Sequence, residues 1–178
     1  MARLPMVGVM GSGINAHEGR AQQVGSWLAT EGVHLLTGGG DGVMAAVSKA
    51  FHESAGRRGL VIGVIPSSAS DPAEPKRGYP NPWVEVPIFT HLPLTGERGT
   101  DPLSRNAINL LSSDVVIFLP GRSGTASEAQ LAVSYRTPAI AYLESRGDIP
   151  DLPAEIRDTS SFDEVQRIVR AALSEVAR

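Results

Sequence analysis

The apolar residues of this chain fall into short unbroken runs, set apart by glycine-rich turns and by stretches of helical spacing. Met6 to Met10, Val33 to Leu36, Leu60 to Ile65, Val115 to Leu119 and Pro138 to Leu143 are too short for helices and read as strands, most of them buried on both faces. Between them the apolar period lengthens. A helix is expected from about Asn15 to Thr30, and a second from Val43 to about Ser54 with Val43, Met44, Val47 and Phe51 on its stripe. A short third helix carries Leu103, Arg105, Asn106, Ile108, Asn109 and Leu111, capped by Asp101 or Ser104. Ala126, Ala129, Leu131, Ala132 and Val133 suit a fourth, and Ser161-Phe-Asp-Glu164 is a capping-box spelling that opens a fifth. The fifth shows Phe162, Val165, Ile168, Val169, Ala172, Leu173 and Val176 on one face, most simply as core.

Residues 67–100 break this rhythm. They are crowded with proline and glycine, and only Trp83 to Phe89 could form a strand. A loop of that length is either a flap over a site or an irregular surface connection. As a flap it would offer His91, Glu97 and Arg98.

Strands alternating with helices predict an α/β fold: a Rossmann-like, doubly wound parallel sheet in three α/β/α layers, with residues 1–178 as a single domain. A strand order of 3-2-1-4-5 would reverse the winding between the first strand and the Val115 strand. Ligands in such sheets bind at that switch point, beyond the carboxyl ends of the strands. The chain of 178 residues, 42 % hydrophobic, is sufficient for one core.

Charge and composition narrow the partners. With 16 basic against 19 acidic residues and 5 % aromatic content, there is no electrostatic footprint for nucleic acid or a membrane surface. The first ten residues run into a strand without a signal-peptide core, and no run reaches the length of a membrane span, so a cytoplasmic protein is expected. No cysteine is present, and His17, His34, His52 and His91 lie in different elements, so no metal site is expected.

The candidate chemistry sits in three glycine turns: Gly11-Ser12-Gly13, Gly38-Gly39-Gly40-Asp41-Gly42 and Pro120-Gly121-Arg122-Ser123-Gly124-Thr125. A strand, a glycine turn and a helix in succession aim free backbone N–H groups at one point, where the helix dipole also favours an anion. The first turn, with Ala16, spells G-x-G-x-x-A, close to the dinucleotide fingerprint. No acid ends the second strand to hold a ribose hydroxyl, which disfavours an NAD enzyme. Thr125-x-x-Glu128 is also a capping-box spelling, and Arg105 taken alone could be a solvated helix residue.

Taken together, Gly38 to Met44, Ser104-Arg105-Asn106 and Pro120 to Glu128 resemble the LOG family, over roughly Met6 to Leu143. The opening Gly8-Val-Met-Gly11-Ser-Gly13 and the Arg105-Asn106 pair look closer to its molybdenum-cofactor-carrier-like branch. The resemblance implies a phosphorylated small molecule, a nucleoside monophosphate or a pterin, seated on Gly11, Ser12, Gly13, Gly39, Gly40, Asp41, Gly42, Met44, Asn106 and the Pro120 to Thr125 turn. It implies hydrolysis of the N-glycosidic bond of a purine or cytokinin nucleoside 5′-monophosphate, with Arg105 and Glu128 as the catalytic pair and no cofactor required. The other implication is a non-enzymatic carrier with bound molybdenum cofactor. Either way a homodimer or larger homo-oligomer is expected.

Arg122 stands where the family motif has its second glycine, and Ser127 where many members carry a glutamate. An arginine there would strengthen phosphate binding, or strain the turn and close the pocket. The family's older label of lysine decarboxylase is rejected. Pyridoxal chemistry needs a lysine in the pocket, and the chain has only Lys49, within the second helix, and Lys76, in the proline-rich loop.

Overall fold

A computed structural model of the protein describes residues 3–176. Seven strands form one parallel sheet: β1 (Met6–Met10), β2 (His34–Thr37), β3 (Val61–Ile65), β4 (Val86–Phe89), β5 (Val115–Phe118), β6 (Ala139–Tyr142) and β7 (Arg157–Thr159). Their order is β4-β3-β2-β1-β5-β6-β7, so the winding reverses between β1 and β5. Five helices, α1 (Glu18–Thr30), α2 (Val43–Glu53), α3 (Asn106–Ser112), α4 (Ser123–Tyr135) and α5 (Phe162–Val176), fill the crossovers and cover the sheet.

Alternation along the strands divides the core into two layers. Val7, Val9, Leu35, Val61, Val115, Ile117 and Ile140 face α1, α2 and α5, where they meet Leu28, Val47, Phe51, Val165 and Val169. Met10, Leu36, Ile62, Val64, Val116, Phe118 and Ala141 face the other way, against Leu110 of α3 and Ala129, Leu131 and Ala132 of α4. This is the three-layer, doubly wound arrangement that the alternation of runs predicts. Among the described residues, no helix is long and apolar enough to cross a membrane, and no group of three or more His, Asp or Glu side chains could hold a metal ion.

Several boundaries move. Residues 15–17 stay outside α1, because His17 takes a left-handed backbone (φ 45°) that a helix cannot contain. The short third helix begins only at Asn106. Its N-cap is Arg105, and neither Asp101 nor Ser104 caps it in the expected way. The Asp101 carboxylate accepts from Leu103 N–H and the Ser104 hydroxyl from Asn106 N–H, so both brace the preceding turn. Leu103 and Leu111 are exposed and lie off the core. At α5 the box is half formed. Ser161 Oγ accepts from Glu164 N–H at 3.4 Å, while the Glu164 carboxylate turns to Arg157.

The two strands outside the expected five lie at the edges. β4 falls inside the Trp83 to Phe89 window, and its approach is anchored by Glu85, whose carboxylate takes both Arg57 nitrogens at 2.8 Å and Val61 N–H at 2.9 Å. β7 is polar and carries no strand signal of its own. Arg146 holds it in place by donating to the carbonyls of Leu152, Pro153 and Ile156 and to the Asp158 carboxylate. Arg146→Ala should therefore raise amide hydrogen exchange selectively over residues 152–159, by a local opening made about 1–3 kcal/mol easier. Unchanged protection there would show that the β6–β7 ladder holds itself.

Candidate functional site

The first and third glycine turns meet at the carboxyl ends of β1 and β5, at the switch point. They are tied together by backbone: Ser12 N–H donates to Pro120 O at 3.0 Å, and Val43 N–H of the second turn donates to Ser12 O at 2.8 Å. Gly42, with φ of +63°, lies so close that a Cβ would stand 2.3 Å from Ser12 O. A crevice of about 190 Å³ opens beside this junction. Its walls are Met10, Gly11, Ser12, Gly13 and Ile14 on one side and Arg122, Gly124 and Thr125 on the other. Arg105, Asn106 and Glu128 also line it, and Met44, Tyr79, Thr95 and Gly96 complete it.

The helix α4 starts at Ser123 with no side-chain cap, which leaves the N–H groups of its first turn without intrahelical partners. Because the helix begins two residues before Thr125, Glu128 stands well past its first turn and the capping-box reading of Thr125-x-x-Glu128 fails. Glu128 is instead 8 % exposed, with Oε1 3.8 Å from an Arg105 guanidinium nitrogen and 3.4 Å from Asn109 Nδ2. Burial lifts its carboxyl from 4.5 to about 7, against the opposing pull of the Arg105 charge and the Asn109 hydrogen bond.

Arg105 is only 4 % exposed, not a solvated residue. It donates to Asn106 Oδ1 at 2.6 Å and to Gly38 O at 3.2 Å. Its Nε, like Asn109 Oδ1, is buried without a hydrogen-bond partner.

The second glycine turn does not face the crevice. Of Gly39, Gly40, Asp41, Gly42 and Met44, only Met44 lines it; Gly39 and Gly40 are buried under the long loop, and Asp41 points to solvent. The turn buttresses Ser12 from behind. Pro120 and Gly121 line a second basin of about 320 Å³ with Asn15, His17, Arg20 and Asp148. Gly121 N–H is already taken by Asp148 O, so it is not a free anion donor. Ser123 lines neither cavity.

Arg122 stands between the two basins and lines both. Its φ of −110° is ordinary extended backbone and its side chain is exposed, so the motif position takes an arginine without strain and the crevice stays open. Ser127 is buried beneath, and its hydroxyl reaches Ser123 O at 2.9 Å and Gly96 O at 3.2 Å, which pins the long loop to α4.

The long loop does cover the crevice, but through other residues than expected. His91, Glu97 and Arg98 face outward, while Tyr79, Thr95 and Gly96 line the wall. Nothing in the spacing of residues 67–100 marks those three. Asn109 was legible only as a helix residue, and its contact with Glu128 needs the α3–α4 packing to exist. Met10 and Ile14 flank the first glycine turn and could have been read from adjacency alone.

A parallel sheet whose first and fifth strands end in facing glycine turns, over a buried arginine and glutamate, defines a LOG-like Rossmann protein. The chain belongs to the SLOG cluster4 family, whose model matches residues 4–174. A protein of Archaeoglobus fulgidus is 31 % identical over 133 residues, 74 % of this chain and 75 % of that one. Among solved structures, the molybdenum cofactor binding protein from Rippkaea orientalis is similar at a TM-score of 0.73 and 29 % identity, covering 97 % of this chain and 99 % of its own. The Moco carrier protein from Chlamydomonas reinhardtii gives a TM-score of 0.69 at 26 % identity, with 97 % and 99 % covered. Within the superfamily the chain thus lies on the molybdenum-cofactor-carrier-like branch.

The raised Glu128 carboxyl has a consequence for stability. The native state keeps a proton that the unfolded chain releases near 4.5, so the contribution is fully present below that pH and is lost as pH rises through about 7. Between pH 4.5 and 8 the wild type should lose up to about 3 kcal/mol relative to Glu128→Gln, which is neutral throughout. Urea melts of both proteins across that range would show it, and parallel curves would mean that Glu128 ionises normally.

Proposed function

We propose that this protein binds a phosphorylated small molecule with a planar ring in the Ser12–Thr125 crevice, and that the ligand is a pterin of the molybdenum-cofactor kind, carried intact. The observation that carries the reading is the set of donors left without protein partners. The Arg105 Nε is buried and unpaired, the first-turn amides of α4 are uncapped, and the Ser12 hydroxyl accepts from Ile14 and Asn15 N–H while its own proton is free. Buried donors of this kind are costly unless something supplies acceptors. A phosphate on the α4 amides beside Arg122, with the rest of the molecule reaching toward Arg105, supplies them. Near full-length likeness to two proteins named for this cofactor supports the identity of the cargo.

In this reading the cofactor brings the phosphate, the pterin and the metal, and the chain does only binding. Glu128, about half protonated at neutral pH, can donate a hydrogen bond to a ring nitrogen or a hydroxyl without repelling the phosphate. Protein purified from cells that make the cofactor should retain an intact phosphorylated pterin, identified by mass spectrometry. Arg105→Ala should lower the retained amount at least about tenfold. A wild-type protein that neither retains nor takes up a pterin counts against the carrier.

A second reading is favoured by the Arg105–Glu128 pair itself, 3.8 Å apart at the bottom of the crevice. Water would cleave the N-glycosidic bond of a purine nucleoside 5′-monophosphate, giving free base and ribose 5-phosphate. The Glu128 carboxylate would stabilise the oxocarbenium-like sugar and orient the water, and Arg105 would hold the phosphate or the departing base. Because the working form is ionised, the rate should rise with pH through about 7 and level off above it. Incubation with AMP across pH 5–9 tests this: Glu128→Gln should lose at least about 100-fold. Absence of free base at every pH removes the hydrolase.

A further inference from the structure

We infer that Tyr79 is the ring-binding platform of the crevice, the residue on which the planar heterocycle of the ligand stacks. This rests on the reading of the crevice as a nucleotide-like site and adds to it the group that recognises the ring. Tyr79 is the one aromatic side chain that lines the crevice among the described residues. Most of the other aromatic side chains are spent on the core, as with Phe51, Phe118 and the Trp27–Phe162–Tyr142 cluster.

Its placement is fixed before any ligand arrives. Asn81, 3 % exposed, clamps the loop onto the second glycine turn, its N–H donating to Gly39 O at 2.8 Å and its Nδ2 to Gly40 O at 2.9 Å. The phenol ring then lies so close to Gly40 that a Cβ there would come within 2.7 Å of it. Glycine at this position serves the tyrosine, which explains a turn residue that the crevice itself does not use. Lys76 Nζ sits 5.7 Å from the ring centre and donates to Thr95 Oγ1 at 3.1 Å, joining two parts of the loop above the site.

A half-buried aromatic ring held in this way loses little freedom on binding, so a ring that stacks on it does so at low entropic cost. Met10 and Met44 line the same crevice, and their polarizable thioethers are favourable neighbours for a ring of either source. The charged side chains of the same lining are Arg122, Arg105 and Glu128. The crevice thus offers an aromatic surface as well as anion donors, and the shared chemistry is a planar, nitrogen-rich heterocycle joined to a phosphate. A purine and a pterin both satisfy it.

Calorimetry with ribose 5-phosphate, AMP and neopterin monophosphate on the wild type, Tyr79→Phe and Tyr79→Leu tests the inference. The wild type should bind at least one ring-bearing probe about tenfold or more tighter than ribose 5-phosphate, and the tighter of the two identifies the ring. Tyr79→Leu should weaken that probe about tenfold to a hundredfold, with ribose 5-phosphate unchanged, and Tyr79→Phe should stay within about threefold of wild type. Ring affinity undiminished in Tyr79→Leu overturns the inference and leaves the proposed function standing. An equal loss of ribose 5-phosphate also overturns it, since Tyr79 would then only shape the crevice. A wild type that binds neither ring-bearing probe overturns the proposed function and this inference with it.

Discussion

Ser12 is hydrogen-bonded toward two other turns and into its own at the same time. Its N–H goes to Pro120 O, its carbonyl takes Val43 N–H, and its hydroxyl takes Ile14 and Asn15 N–H. One buried residue therefore sets the spacing of the loops after β1, β2 and β5, and with it the width of the crevice. The bonds to the other two turns are main chain to main chain, so that spacing is insensitive to the side chains that line the site. Each is worth only about 0.5–1.5 kcal/mol net, but orphaning a buried donor costs more than the bond returns. This is why Gly42 must be small and left-handed: any bulk there pushes directly on the Ser12 carbonyl.

Against that rigid frame the Arg105–Glu128 pair is poorly optimised for stability. At 3.8 Å it is not a tight bidentate bridge, and the Arg105 Nε and Asn109 Oδ1 beside it lack partners. Apolar residues of similar volume would commonly serve a core at least as well as a buried ion pair. Arg105 is nevertheless held in place by Gly38 O and Asn106 Oδ1, which fix its direction without exhausting its donors. Groups oriented by the protein and left partly unsatisfied are what a ligand site requires.

How much of this is legible in the sequence follows the physics of each feature. The five apolar strands and the switch point are legible because burial on both faces forces unbroken apolar runs rich in β-formers, as in Val115 to Leu119. β7 is not, because Arg157-Asp-Thr159 has no pattern of its own; what marks it in the structure is the pairing with β6 and the carbonyls of Leu152, Pro153 and Ile156 gathered on Arg146. The third glycine turn is legible from strand, glycine and helix in succession. The second glycine turn spells the same signal, yet its glycines answer to Ser12 O and to the Tyr79 ring, contacts between segments far apart in the chain. The two readings of Thr125-x-x-Glu128 differ only in where the helix begins, and that start at Ser123 is a tertiary outcome. Tyr79 and Thr95 are invisible for a related reason. A loop positioned by Asn81 and Ser127 carries no periodicity to announce which residue turns inward.

The proton on Glu128 separates the two chemistries that the same residues could perform. A phosphate brought into the crevice adds negative charge near a carboxyl that burial has already raised to about 7, and so raises it further. On the proposed carrier reading, holding an anionic cargo is thereby coupled to proton uptake, and the protonated acid is the form that tolerates the ligand. Hydrolysis asks for the opposite, an ionised carboxylate facing a developing positive charge on the sugar, and the Arg105 guanidinium and the Asn109 hydrogen bond are what oppose the rise. At 3.8 Å, and already shared with Asn106 and Gly38, that guanidinium gives incomplete compensation. On the proposed reading, that balance favours holding a phosphorylated ring over breaking it.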